Sequence, residues 1–514
     1  MKKLFSTLLS VLLVGTAIAQ SQPQVIFTGT PYGVMGISSN NRYICGTKKG
    51  EMAYRFDIET KELITIQAAN GYSDMCASDI MNDGTLIGIN DEKHPSIYKD
   101  EEWQELPYPA GEWTEGLANQ CSADGKYIIG HIQGKGSASA PYRIIPSMWE
   151  RQDDGSYKYI EMPNPQTDFL GGKTQFISLR TISADGNIVT GVMMEQRGFY
   201  SQAIIYRKGA DGQWTYETPF VEYSFNMSVY DEWKNKEPKT SDFITSKPDE
   251  ADYKEQVNNY LVAFARWQYQ FFTAWKKGPE FTSVPLIMSD NGKYLAPTVV
   301  KSTYSYEDGD NKVETTHKDI YPCLYNIETK ELTMIPEVKD FVTHSVSNYG
   351  DMLYSDNENI FLLMHDTKEK VNLTQWLNQN YNGFELTDYL PENVKYLYSQ
   401  CLGSDMSLIV GSYLAMNEDG GNVNQEVFCV KRPVLNAIMQ MLNTPSTNDI
   451  FISGDKLVLK NTTGQMDVFD MAGRKVLSST NNVSEMNVSS LPKGVYVVSA
   501  SIGGSKMKAK VYKK

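Results

Sequence analysis

Histidine is scarce in this chain. Five occur in 514 residues, His94, His131, His317, His344 and His365, and no two stand at a metal-ligand spacing. The six cysteines, Cys45, Cys76, Cys121, Cys323, Cys401 and Cys429, are too widely spread for a zinc pattern or a disulfide framework. Most sit inside apolar runs, which suits free, buried thiols. There is no His-Glu-x-x-His, Gly-x-Ser-x-Gly, phosphate-cradling glycine loop or dinucleotide fingerprint. Glu307-Asp308-Gly309-Asp310-Asn311 lacks the alternation and closing Glu of a helical calcium loop. No metal or cofactor is therefore expected, and no catalytic motif is found. Positive charge is also short, with 48 Lys and Arg against 62 Asp and Glu. That excludes a fold-wide basic surface for nucleic acid.

A long apolar run is missing as well, apart from one near the start. Lys2-Lys3, the apolar stretch from Leu4 to Val14 and Ala17-Ile18-Ala19 form a tripartite secretion leader. Cleavage after Ala19 leaves Gln20 first and deepens the formal charge from −14 to −16. No second apolar run of spanning length follows, so no transmembrane span is expected.

What the chain does have is a repeat. Ser122-Ala123-Asp124-Gly125 and Ser183-Ala184-Asp185-Gly186 each precede an apolar run that closes on Gly. Looser copies place turn centres at Asn41, Gly84, Gly292, Gly350 and Met406. Asp-Gly between apolar runs marks a hairpin, because its turn needs positive φ. A second polar turn follows in each copy, and Ile58-Glu59-Thr60-Lys61-Glu62-Leu63 recurs identically at 327–332. Each unit thus holds four strands, A to D. The first centres lie 43 and 41 residues apart, the period of a propeller blade. A row of separate sandwiches is the alternative. The last copy ends at Pro433 without a strand D, while Gln24-Val25-Ile26-Phe27 stands spare before the first strand A. Pairing the two would close the ring.

The A–B and C–D turns are short, whereas the D–A and B–C connections are long. The latter emerge on one face, which is where binding is expected. The largest insertion, 220–281, lies in a D–A connection and contains a helical pattern over 248–277. Val257, Tyr260, Leu261, Phe264, Trp267, Phe271 and Trp275 form its apolar stripe. The stripe either packs the helix onto the propeller or presents Trp267 and Trp275 as a lid. Six residues before the seven turn centres stand Met35, Ser78, Asn119, Arg180, Leu286, His344 and Gln400. Asn119, Arg180, His344 and Gln400 either solvate a central channel or form a binding ring, with Arg180 forking an anion.

After a linker at 433–447, residues 448–514 show short strands between turns. Met466-Asp467-Val468-Phe469-Asp470-Met471-Ala472-Gly473-Arg474-Lys475-Val476, then Leu491-Pro492-Lys493-Gly494-Val495-Tyr496, then a basic close, follow in order. This block order resembles the type IX secretion C-terminal sorting domains of Bacteroidetes. The resemblance implies recognition by outer-membrane secretion machinery, with Asp470, Gly473, Arg474, Gly494 and Tyr496 in the sorting motif. An ordinary adhesive sandwich is the alternative.

The expected architecture is all-β: a seven-bladed β-propeller over 20–432 with one helical insertion, then a small immunoglobulin-like β-sandwich. The expected function is an exported, cell-surface or secreted binder of a glycan or peptide, with periplasmic retention as the fallback. A propeller hydrolase or lyase and a structural envelope subunit are the alternatives.

Overall fold

The computed structural model describes residues 22–432 and 450–513, except short stretches such as 68–75, 196–200, 225–231, 308–311 and 470–474. The leader at 1–19 with its cut between Ala19 and Gln20, the linker 433–447, and Asp470, Gly473 and Arg474 lie outside the described residues. The chain divides into two compact units, Met1–Lys431 and Arg432–Lys514.

Among the described residues, the first unit holds seven four-stranded antiparallel sheets. Their innermost strands A are Val34–Ile37, Cys76–Ile80, Trp113–Cys121, Phe176–Ile182, Glu280–Met288, Ser345–Val346 and Val394–Leu402, numbered here as sheets 1 to 7. Each sheet touches the next, and strand A of sheet 7 touches strand A of sheet 1, so the sheets form a closed ring. Sheets 1 to 6 take four successive strands each. Sheet 7 takes its fourth strand from the N-terminal side: Gln24–Phe27 runs antiparallel to Asn422–Lys431, with Val25 opposite Val430 and Phe27 opposite Phe428. Two edges that would otherwise be exposed are thereby covered.

Sequence and turn geometry agree closely. All seven turn centres, Asn41, Gly84, Gly125, Gly186, Gly292, Gly350 and Met406, have positive φ, between 57° and 89°. The two copies of the repeated hexapeptide match in conformation too, with Lys61 at φ 61° and Lys330 at φ 60°. The serine opening each full motif shapes the turn. Ser38, Ser122, Ser183 and Ser289 donate to Asn40, Asp124, Asp185 and Asn291 at 2.5–2.8 Å. The same hydroxyls accept the N–H of Tyr43, Tyr127, Ile188 and Tyr294 at 2.9–3.0 Å. Local side-chain bonds of this kind hold the backbone in a turn that a strand ladder alone would not select.

The turns also bind each other. Asn40 donates its backbone N–H and its side-chain amide to Asn82, Ala123 N–H reaches the Ala184 carbonyl, and Ala184 N–H reaches that of Asp290. Asn291 pairs with Asn348, Asn348 N–H reaches the Ser404 carbonyl, and Asn41 bridges back to Asp405 and Ser407. Sheets 2 and 3 are joined by Cys121 N–H donating to Asp79 at 3.1 Å. A belt of hydrogen bonds therefore circles the tight-turn face.

Apolar packing follows the same plan. Six described clusters each draw on two neighbouring sheets, such as Tyr127 and Ile129 of sheet 3 with Ile177, Leu179 and Tyr206 of sheet 4. The six cysteines are free thiols, and Cys45, Cys323 and Cys429 are buried. Burial pushes the Cys429 thiol up to about 12, so it behaves as a small hydrophobe.

The long helix of the insertion runs Tyr253–Trp275 and packs on the Tyr294–Glu307 and Lys312–Asn326 strands of sheet 5. A second helix, Leu373–Asn380, lies in the connection from sheet 6 to sheet 7, so helical structure is not confined to the one expected insertion. The side chain of Asn372 caps it by accepting from Thr374 and Gln375 N–H, and Leu373 and Leu377 bury its inner face.

The second unit is a sandwich of a three-stranded and a four-stranded sheet. Both contribute to one core, including Ile450, Leu457 and Leu459 from the first and Met466, Val468 and Val498 from the second.

Closure makes Ile26 a sensitive position, since it is 4% exposed among Ile44, Phe56 and Val427. We expect Ile26→Ala to lower stability by about 2–4 kcal/mol in chemical denaturation. An unchanged unfolding midpoint would contradict the closing strand.

Candidate functional site

The channel face is set by a defect repeated in strand A. In sheets 1, 2, 3, 4 and 7 the A–B register slips by one residue, leaving Met35, Ser78, Asn119, Arg180 and Gln400 unpaired in the ladder. These are the positions six residues before the turn centre. A bulge bends its strand and re-aims one side chain. The residue before each bulge pairs with a glycine of strand B: Gly46, Gly88, Gly130, Gly191 and Gly411. A Cβ on Gly46, Gly88 or Gly130 would overlap the carbonyl oxygen of Gly33, Cys76 or Leu117, respectively. At these three positions the glycine gives the bulged strand the room it needs.

The four expected ring residues have different fates. Asn119 donates its amide to the Leu179 carbonyl of the next sheet at 2.5 Å. Gln400 accepts Val34 N–H of sheet 1 at 3.0 Å and donates to Ser412 at 2.9 Å. Both amides therefore stitch neighbouring sheets. His344 shares a 2.6 Å hydrogen bond through Nδ1 with Ser399 of sheet 7, and burial lowers its pKa. Arg180 is exposed and makes no hydrogen bond or ion pair among the described residues. Partial desolvation lowers its pKa. Its electrostatic neighbour is His131, whose pKa falls from 6.5 to about 4, first through burial and then through the Arg180 charge.

Two cavities, whose linings include His344 and Gln400 in one and His131 in the other but neither Asn119 nor Arg180, are lined from the ends of strands A, B and C that lead into the long connections. One, of about 500 Å³, brings His344 and Gln400 together with Tyr354, Tyr398, Ser412 and Gln425. The other, of about 570 Å³, is lined by Met35, Leu117, Lys93, Glu115, His131 and Gln133. Aromatic faces beside neutral amides and hydroxyls suit a sugar ring or a peptide backbone. At the tight-turn end a small polar pocket holds Asp79 and Asp290. Burial raises Asp79 to about 7 and also raises Asp290. Asp79 accepts the N–H of the next sheet as Gln120 and Ser345 do in neutral form, a structural task.

Of the two tryptophans proposed for a lid, Trp267 has its side chain among the described residues. Trp267 is 6% exposed and packs against Phe264, which stacks on toward Tyr260 and Phe243. Trp275 ends the helix, and its side chain lies outside the described residues. Leu261, assigned to the same stripe, is 55% exposed.

In the tail, the Tyr496 ring is buried in the sandwich core and its hydroxyl donates to the Pro492 carbonyl at 2.7 Å. Gly494 opens the strand that pairs with the last one, opposite Lys513. The Lys513 ammonium is buried and donates to the carbonyls of Val488, Ser489 and Leu491 at 2.5–2.9 Å. The last strand is tied down by its own lysine.

Residues 444–514 match the family described as "Secretion system C-terminal sorting domain". The tail is a sorting domain. Its presence implies handling by the type IX secretion system and export to the cell surface or extracellular space. No helix among the described residues is long and apolar enough to cross a membrane. No curated protein matches the chain. Among solved structures, the WD40 repeats of RRP9 are 10% identical, with TM-score 0.35, covering 80% of this chain and 98% of that one. The β-propeller domain of Myceliophteria thermophila Cps50 (Swd1) is 7% identical, with TM-score 0.34, covering 80% and 100%. An oligogalacturonate lyase of Vibrio parahaemolyticus is 10% identical, with TM-score 0.41, covering 81% and 95%. The propeller rests on the closed ring of sheets described above.

Two outcomes are expected. Because the unfolded chain protonates His131 below pH 6.5 while the folded one resists to about pH 4, stability is lost as pH falls through that window. Urea titrations at pH 7 and 4.5 should show His131→Gln removing up to about 3 kcal/mol of this loss. An identical pH slope would contradict a buried neutral His131. Lys513→Met should speed amide exchange about tenfold or more in the Gly494–Ile502 strand, reflecting about 1–3 kcal/mol of orphaned carbonyls. Unchanged protection would show that the ammonium is dispensable.

Proposed function

We propose that this exported propeller binds a glycan or peptide ligand on its loop-rich face, with Arg180 receiving an anionic group of that ligand. The observation that carries the reading is Arg180 itself: an exposed guanidinium on a bulge of the innermost strand, partly desolvated, without a hydrogen bond or ion pair among the described residues. A guanidinium fork in that setting gains a bidentate partner when a carboxylate, sulfate or phosphate arrives. The neighbouring His131, held neutral, does not compete for the anion with a charge of its own. Tyr354, Tyr398 and Gln425 in the other cavity offer stacking and hydrogen bonds to the uncharged part of a ligand. The sorting domain supports a surface or extracellular place of action, where such ligands are met.

Arrays of neutral, carboxylated and sulfated oligosaccharides and of acidic peptides, probed with the mature chain, test the proposal. Arg180→Gln should weaken an anionic hit by about 1.5–3 kcal/mol and leave neutral hits unchanged. Equal binding by the variant would remove Arg180 from the site.

A further inference from the structure

We propose that Glu92, His94 and Glu105 form a binding site for a divalent transition-metal ion, with Zn²⁺ the ion their donors suit. Glu92 and His94 lie in the turn between the Leu86–Ile89 and Pro95–Lys99 strands of sheet 2, a B–C connection on the loop-rich face. Glu105 closes the adjacent strand, Glu102–Glu105, and pairs opposite Ser96. One ligand atom from each of the three lies within 4.8 Å of the others. His94 Nδ1 stands 2.7 Å from Glu105 Oε1 and 3.9 Å from Glu92 Oε2.

The turn holds these donors in place. Asn90 Oδ1 accepts the N–H of both Glu92 and His94, at 3.0 and 2.9 Å. Asn90 Nδ2 donates to Glu105 Oε1 at 3.2 Å, so one side chain fixes the backbone of the turn and the Glu105 carboxylate. Support of ligating groups by a second layer of hydrogen bonds is what metal sites require. The His94 ring is further held edge-on to Tyr108, at 5.8 Å between centroids. The buried Tyr108 hydroxyl has no hydrogen-bond partner among the described residues. A His94–Glu105 ion pair alone would account for the 2.7 Å contact but not for the convergence of Glu92 on the same nitrogen.

The donor chemistry selects the ion. One imidazole nitrogen with two carboxylates is a zinc-type set, whereas calcium and magnesium take oxygen donors in larger number. Tetrahedral coordination at about 2.0–2.2 Å needs the three atoms somewhat over 3 Å apart. The 2.7 and 3.9 Å separations bracket that spacing and the third lies within 4.8 Å, so shifts of about 1–2 Å in partly exposed side chains close the site. Three protein ligands leave a fourth position for water or for an anionic group of a ligand. Lys93, between the two turn donors, lines the larger cavity.

Calorimetric titration of the mature, untagged chain with zinc chloride tests the site, together with the visible spectrum after cobalt substitution. The expected result is one equivalent bound with a tetrahedral cobalt spectrum. His94→Gln and, separately, Glu92→Gln should lose that equivalent or weaken it at least about tenfold, while Glu161→Gln, on an exposed strand end of sheet 3, keeps it. Circular dichroism identical to the parent confirms that the variants fold. No bound equivalent in the parent, or one that survives in both variants, would overturn the proposal.

Discussion

The crowding of strand A against a glycine of strand B is the constraint that shapes the inner face of five of the seven sheets. In five sheets the inner strand carries an extra residue at the same step of the repeat, and each time a glycine of strand B, without a Cβ, pairs with the residue before it. The extra residue escapes the alternation that otherwise assigns side chains to the inter-sheet cores. It is free to be polar without burying a charge among Ile and Val. The repeat thus separates its tasks. Positions four before the turn centre, such as Ile80, Ile182 and Leu402, fill cores. The bulge position leaves room for a polar side chain.

The tight-turn face carries the complementary role. Ser-x-Asx-Gly turns satisfy their own backbone and then hand a hydrogen bond to the next sheet, so the belt and the apolar clusters reinforce each other around the ring. Asp79 shows the tolerance of this belt: a carboxylate does the work of an amide and is raised to about 7 by burial. With one face fixed, the long connections opposite are free to vary in length and composition.

The repeat made most of the fold legible. Asx-Gly pairs marked the positive-φ centres, and a missing last strand together with a spare first one implied closure. The polar set at Asn119, Arg180, His344 and Gln400 was also legible, but its division was not. Whether an amide faces solvent or the neighbouring carbonyl depends on the stagger between sheets, which no single strand encodes; Asn119 and Gln400 are drawn into the next sheet, and Arg180 is left over. The burial of Trp267 beside an exposed Leu261 reflects the rotation of a helix on its support, finer than a stripe at helical spacing can fix. The helix Leu373–Asn380 did carry a signal, an Asn cap before Leu373 and Leu377, in a connection otherwise full of polar residues. Glu105 joins His94 across strand pairing eleven residues away, a nearness that linear spacing does not display.

The central claim is that the bulge positions make one face of the ring the binding face. Hydrogen exchange on the mature chain, with and without a saturating ligand from the arrays, tests it most directly. The account predicts new protection in the inner strands Phe176–Ile182 and Val394–Leu402 and in the connections they join, with the Ser-x-Asx-Gly turns unchanged. Protection confined to those tight turns would contradict it.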